Sequence, residues 1–467
     1  MESACKTSRK GTDGHLSKLI YLVLSIVVLC LSAAFFKLAA GSLSLKKLNI
    51  VSFCFYSILV FDFIGAFLVL MGFRDHYLIA KIKDDAVVIK TCLILAYTMI
   101  ALPLLTVGFN YLFLGKGITK KQNALIEEKL EITRDQTPLL FVAALAVICT
   151  AATMYVFRSI GYVPLIESLK GTSDSGVMRQ AASRLFAGNT YIRNLIVLTL
   201  TPLVSYLAYI YWRAAKTDKV LWGILFAYLF LLSLLIKTYD LEKSPVLYYL
   251  FYFYIIEILL NNKKITKILL WVILVIFFLI VIMYYFVFDY SGRLFTVSSG
   301  PGGRIFMTQV ATLFLHVKAF PAMTPYLKGA SLPGVLATVF GIDKSWVRSG
   351  RIVMEIFNPA AVEAGVAGVM NTLFAGEAYA NWGVPGVLLA PLFVAFSLSL
   401  SLAILLRFRK SPVSLTLYIA LFNTFTGALQ GGFVDFLYNF TSIFVIIAFL
   451  ALAFLVNRGF ITVKRRR

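Results

Sequence analysis

Charge is scarce in this chain of 467 residues: 14% are Asp, Glu, Lys or Arg against 60% apolar, and the mean hydropathy is +0.86. A soluble fold cannot hide that much apolar surface, and the excess falls in long uninterrupted runs, so the chain is a polytopic membrane protein. Acids are scarcer still, 22 against 44 Lys and Arg. The basic surplus excludes no membrane role and does not mark a nucleic-acid partner. Lys and Arg crowd short connections and the C-terminus (Arg407, Arg409, Lys410; Lys464, Arg465, Arg466, Arg467), where the positive-inside bias accounts for them. Cysteine is rare as well. Cys30, Cys54, Cys92 and Cys149 lie in apolar runs and Cys5 in the basic tail, so neither a disulfide framework nor a CxxC metal site follows, and no metal or cofactor is expected. Internal repeats are absent, which gives an inverted-repeat transporter no support.

The apolar runs are continuous rather than alternating, so helices and not a barrel cross the bilayer. At about 20 residues per crossing, spans are expected near 19–36, 48–71, 88–114, 139–157, 191–212, 220–236, 246–260, 267–288, 383–406, 413–430 and 433–456. The first run follows a basic tail like that of a signal peptide, but it is long and lacks a small-residue cleavage site, so it counts as a span. The expected fold class is all-α: one integral membrane domain over 1–467 with about 11–12 transmembrane helices. Connections carrying Arg213, Lys216 and Lys219, then Lys263, Lys264 and Lys267, then Arg407, Arg409 and Lys410 read as cytoplasmic, together with the C-terminus. The loops 158–190 and 289–382, and the short segment 237–245, then face outward. Eleven crossings would put the basic N-terminal tail outside, so one membrane element is expected to be missed, either in 305–341 or in the overlong third run with Pro103 and Gly108.

The outward segments carry the chemistry. Asp289 to Met370 is far longer than an ordinary helix connection, and its Phe, Val, Leu and Trp content argues against disorder. Ile305–Phe320 and Ser345–Ile356 mix apolar and polar positions in a helical way, which predicts short amphipathic helices on the membrane surface. SSGPGGR, Ser298 to Arg304, is a Gly/Pro turn that delivers Arg304 to a helix start; it lacks the GxxxxGK[ST] pattern of a phosphate loop. Segment 289–370 holds seven cations (Arg293, Arg304, Lys318, Lys328, Lys344, Arg348, Arg351) against four acids, and 158–193 holds five (Arg158, Lys170, Arg179, Arg184, Arg193) against two. Such an excess on outer loops asks for an anionic partner, and the arginine fork suits phosphate oxygens. The competing reading pairs these arginines with lipid headgroups or with Glu167, Asp174, Glu355 and Glu363. In KTYDLEKSP, Lys237 to Pro245, Lys243 either joins the arginines or pairs with Asp240. His316 is an alternative base or phosphate ligand, or simply a surface residue of its helix. Among the few charges within spans, Asp62, Lys90 and Glu257, the first is expected to bond between helices. An acid also opens the stretch after the long loop: Glu377 and Asn381 share a helical face, and Gly383, Pro385 and Gly386 let the chain turn into the next span.

The order of these features resembles that of the bacterial oligosaccharide repeat-unit polymerases, the Wzy-type O-antigen polymerases. The stretches that carry the resemblance are GYVPLIE (Gly161 to Glu167), KSP before a span, GGRIFMTQ (Gly302 to Gln309), YLKGASLPG (Tyr326 to Gly334) and GEAYANWGVPGVLL (Gly376 to Leu389). They span roughly 160–390; elsewhere only hydropathy agrees. The resemblance implies a membrane-embedded, metal-independent glycosyltransferase of the bacterial inner membrane. Such enzymes move a growing glycan from its undecaprenyl diphosphate to the non-reducing end of a fresh lipid-linked repeat unit on the periplasmic face. Expected partners are that lipid-linked oligosaccharide, membrane lipids, a chain-length regulator and a flippase. In those terms Arg304 and Glu377 are the catalytic candidates: cations to stabilise the departing diphosphate, and a carboxylate to take the acceptor's proton. Arg179, Arg184, Arg193, Lys243, Arg293, His316, Arg348, Arg351 and Asn381 are candidates for holding diphosphate or glycan. The Arg-x(10)-Gly pattern of some members is missing at Arg179, Arg184, Arg304, Arg348 and Arg351, so pattern alone does not assign roles among the arginines. A glycan ligase shares the donor and the plan; a flippase is the rival of a different class.

Overall fold

The computed structural model describes residues 2–128, 130, 137–170, 186–242, 244–261, 267–268, 270–271, 274–275, 278, 298, 300–332, 334–339, 341–342, 348–364, 367–432 and 438–457. It is helical throughout, with no strand among the described residues. Among the described residues, eight helices are long and apolar enough to cross a membrane: Leu16–Lys47, Ile50–Leu70, Asp85–Leu114, Pro138–Ile160, Ile192–Ala214, Lys219–Lys237, Phe374–Leu405 and Pro412–Gly431. Ser244–Leu259 and Phe440–Leu452 are shorter apolar helices at two further expected positions. The expected span 267–288 lies almost wholly outside the described residues.

Local chemistry sets several boundaries. Asn49 Oδ1 accepts the Ser52 amide at 3.0 Å while Ser52 Oγ accepts the Asn49 amide at 2.8 Å, a reciprocal cap that starts Ile50–Leu70. Ser411 and Ser414 repeat the device ahead of Pro412, whose missing N–H costs nothing in a first turn. The overlong third run is a single 30-residue helix with Pro103 inside it. It packs along Phe374–Leu405, and these two form the spine of the bundle.

Side-chain bonds sort the connections onto two faces. Lys47 Nζ bonds Asn123 Oδ1 (3.2 Å), Tyr254 OH bonds Leu45 O (2.9 Å), and Lys410 Nζ bonds Ile126 O and Glu128 O (3.3 and 2.5 Å). The connections after the first, third and Phe374–Leu405 helices therefore meet on one face. On the opposite face, Lys81 Nζ bonds Phe357 O, Met370 N bonds Gly350 O (3.0 Å), and Lys237, Ser244, Arg348 and Asn439 surround one cavity. Lys18 Nζ lies 3.8 Å from where a Gly72 Cβ would stand, so the first helix starts on the cavity face.

One expectation is corrected outright. The stretch 305–320 is no surface helix: Val310, Leu313, Phe314, Leu315, His316 and Phe320 of Arg304–Thr308 and Gln309–Ala319 with its following residue are completely buried. Its polar side chains face neighbouring helices instead of water. Gln309 Nε2 donates to Gln430 O (2.9 Å), Thr312 Oγ1 to Asn371 O (2.6 Å), and His316 reaches Ser349. Gly65 makes the approach possible, because a Cβ there would collide with Phe306 O. Gly300–Gly303, Arg304–Thr308 and Gln309–Ala319 run on without a break, yet this stretch is not among the helices long and apolar enough to cross a membrane. Ser349–Phe357 is amphipathic as expected, with Val353 and Phe357 buried and Glu355 exposed.

The sparse charges within spans all have partners on other helices. Gln430 bonds Asp62, Lys90 Nζ donates to Tyr379 OH (2.6 Å), and Arg213 Nε meets the fully buried Glu257 carboxylate at 2.7 Å with Tyr209 OH at 2.6 Å. Removing one member of a buried pair strands its partner, at about 3–5 kcal/mol. Glu257→Ala is therefore expected to lower the thermal midpoint of the purified protein sharply, and Arg213→Met combined with Glu257→Leu to restore most of it.

Candidate functional site

The site is built where the long loop returns to the bundle. Phe374–Leu405 is two helices joined at Gly383, whose φ of +63 only glycine adopts readily. The first piece carries Glu377 and Asn381 one turn apart. Residues 326–332, from the YLKGASLPG stretch, strap across it: Leu327 N bonds Ala380 O (3.0 Å), Lys328 N bonds Asn381 O (2.9 Å) and Gly329 N bonds Asn381 Oδ1 (3.0 Å). Asn381 Nδ2 completes the tie by donating to Ser331 Oγ (2.7 Å) and to Glu377 O (2.9 Å). All its polar atoms are thus used within the protein, which makes it a brace for the strap.

Glu377 is 9% exposed. Ser331 Oγ donates to its Oε1 at 3.3 Å, and its Oε2 lies against Gly432, where any Cβ would collide with it. The carboxyl stands between two spaces. One is an apolar groove of about 530 Å³ that runs past Trp382, Leu389 and Phe393, with Lys328 at its polar end. The other is a narrow cleft lined by Arg348, Ser349, Gly350, Asn371, Thr372, Gly431 and Gly432.

Arg348 also lines a second, larger cavity of about 580 Å³. Its walls are mixed: Lys237, Asn194, Asn423, Asn439, Ser244, Thr424 and the rings of Tyr206, Tyr248, Tyr249 and Tyr252 stand beside Leu198, Pro202, Leu203 and Val445. Lys237, at the end of Lys219–Lys237, bonds Leu198 O at 3.4 Å. Phenols, amides and hydroxyls with two cations match what a glycan joined to a diphosphate presents. Arginine 348 therefore sits between this cavity and the cleft that holds a carboxyl.

Arg193 adjoins this cavity: its Nε donates to Asn194 Oδ1 (3.0 Å), its guanidinium stands 4.8 Å from the Phe186 ring centre, and it bonds the Tyr239 phenol. Burial pushes that phenol above its ordinary range and Arg193 works in the opposite direction. Arg304 is exposed and lines neither the groove, the cleft nor the larger cavity. Arg351 is engaged by Glu355, one turn on, at 2.7 Å. His316 is not a surface residue: its Nδ1 donates to Thr312 O (2.7 Å), which leaves Nε2 to accept from Ser349 Oγ (3.3 Å) beside Arg348. Arg179, Arg184, Lys243 and Arg293 lie outside the described residues.

Sequence reasoning passed over Lys237, the amides at 194, 423 and 439, and the tyrosines. A usable signal was present. Tyr248 and Tyr252 fall one turn apart, and Asn423 and Thr424 interrupt an apolar run, where a bilayer penalises unpartnered polar groups. The comparisons with protein-family models, with curated proteins and with solved structures return no match to this chain.

Proposed function

We propose that the protein is a membrane-embedded, metal-independent glycosyltransferase that polymerises undecaprenyl-diphosphate-linked oligosaccharide repeat units, with the cavity face periplasmic. The observation that carries the reading is Arg348, which lines both the larger cavity and the Glu377 cleft. The cleft is narrow, about 10 Å³, so Arg348 is the side chain shared by a diphosphate in the larger cavity and the space beside the Glu377 carboxyl.

In this reading the donor diphosphate lies against Arg348 and Lys237. The acceptor's terminal sugar hydroxyl attacks the donor's anomeric carbon. A new glycosidic C–O bond forms, the C–O bond to the diphosphate breaks, and undecaprenyl diphosphate leaves with the bonding electron pair. The hydroxyl's proton passes to the Glu377 carboxylate and on to water. Charge on the leaving diphosphate grows as the bond breaks, so Arg348 and Lys237 stabilise the transition state more than the bound substrate. Tyrosine faces and amides supply the sugar-binding walls. Arg348 takes the diphosphate role first expected of Arg304, because it lines the spaces and Arg304 does not.

The deletion strain tests the reading in cells. Glycan chains collapsed to a single repeat, with attachment of that repeat to its final acceptor intact, are the expected phenotype; loss of all attachment would favour the ligase. In isolated membranes, chain elongation is expected to proceed unchanged with excess chelator, and strict dependence on a divalent ion would contradict the metal-independent mechanism.

A further inference from the structure

The transfer chemistry leaves two buried acids unused, Glu257, which Arg213 pairs, and Asp62. Asp62 lies on the π-helical turn Leu59–Phe63 of the Ile50–Leu70 helix and is fully enclosed. Gln430 Nε2 donates to Asp62 Oδ2 at 2.5 Å and reaches Ser57 Oγ at 3.5 Å. Among the described residues, Asp62 Oδ1 and Gln430 Oε1 remain as two buried oxygens without a hydrogen-bond partner, and Asp62 has no ion pair. Both oxygens are acceptors when the acid is ionised, and a lone buried carboxylate is strongly penalised. A single proton answers for both. Placed on Oδ1 it neutralises the carboxyl and makes that oxygen a donor to Gln430 Oε1, while Nε2–H to Oδ2 closes the ring of an acid–amide pair.

We infer that Asp62 is held as a protonated acid paired with the Gln430 amide, and that this pair positions the wall of the Glu377 cleft. The pair ties Ile50–Leu70 to the last turn of Pro412–Gly431, and Gln309 Nε2 holds the Gln430 main chain from the other side at 2.9 Å. Two residues further, Gly432 takes φ +96 and lies directly against Glu377 Oε2. Gly431 and Gly432 also line the cleft with Arg348. Asp62 thus acts through Gln430 on the backbone against which the Glu377 carboxyl rests, which makes it a positioning residue. The titratable groups on the elements packed round Asp62 are engaged or turned elsewhere. Arg304 on the facing turn is exposed, His316 is bonded to Thr312 and Ser349, Lys318 to Lys81 O, and Tyr418 of Pro412–Gly431 to the Ile50 amide.

The positioning half of the proposal rests on the glycosyl-transfer reading; the protonation half does not. Infrared difference spectra between purified wild type and Asp62→Asn in lipid nanodiscs at neutral pH are expected to show the carbonyl stretch of a protonated carboxyl, lost in the variant. A difference confined to carboxylate bands overturns the protonation, whatever the enzyme does. Asparagine can form the same ring with Gln430, so Asp62→Asn is expected to keep its thermal midpoint and elongation rate. Asp62→Ala is expected to lower turnover by about tenfold to 10²-fold at unchanged KM, the scale of a misplaced catalytic group. A folded Asp62→Asn protein without activity, or wild-type activity that follows sodium at constant ionic strength, assigns an ionised cation ligand and overturns the proposal. Full turnover in Asp62→Ala overturns the positioning role, and if that variant does not fold, the spectra and Asp62→Asn still decide.

Discussion

Arg348→Ala is expected to stop chain elongation while leaving folding and membrane insertion intact. Arg348 is only partly buried and lines the larger cavity, so its loss widens that space instead of opening a void in the packed core. What is lost is positive charge at the bond that breaks. Removing one preorganised group that stabilises developing negative charge costs about 10²–10³ in turnover, roughly 3–4 kcal/mol. Arg348→Lys is expected to recover part of it, because an ammonium keeps the charge without the two-pronged geometry. The rate is measured as lipid-linked glycan extended per unit of folded protein. Unchanged elongation in Arg348→Ala would remove it from the diphosphate site. Arg304→Ala is expected to elongate normally, the reverse of what the order of motifs along the chain suggested.

The second large effect belongs to Glu377→Gln. Glutamine has nearly the same shape, and its carbonyl can still accept from Ser331 Oγ, so the strap from 326–332 and the contact with Gly432 persist. What disappears is the negative charge and with it the capacity to take a proton. General-base catalysis contributes about 10²–10⁴, and a fall of that size in turnover, with lipid-linked substrate still bound, is the expected result. Substrate binding measured separately by crosslinking distinguishes the two roles: lost binding with residual chemistry would make Glu377 a structural acid that holds the cleft. The carboxyl sits on the short helical piece ahead of Gly383, braced by Asn381, so a base there has a fixed position against the arginine across the cleft.

Eight spans were legible because a bilayer demands continuous apolar length, and that demand is written residue by residue. The stretch Ile305–Phe320 reads as a surface helix for the opposite reason. Thr308, Gln309, Thr312 and His316 give it a polar stripe like that of a surface helix, and nothing local reveals that Asn371, Gln430 and Ser349 wait on other helices to meet that stripe. The Glu377–Asn381 face and the Gly383 break were visible, since spacing and glycine chemistry are local. The choice between Arg304 and Arg348 was not, because the charge count of a loop is independent of where the loop folds back. Lys237 and the tyrosine cluster come from three consecutive helices, and the site is completed only where these meet Arg348, Asn423 and Asn439 far along the chain, a contact that no single window contains.

The stoichiometry of a reconstituted reaction separates a polymerising transferase from a carrier of the same lipids. Purified protein in nanodiscs receives only undecaprenyl-diphosphate-linked repeat units, and the products are resolved by mass. Equal amounts of new glycosidic bonds and free undecaprenyl diphosphate, in a ladder of lengthening lipid-linked glycans, are the predicted result. Lipid-linked repeats that remain single and fully coupled to their diphosphate, although the protein is folded and binds them, would contradict the account and point to a carrier of these lipids.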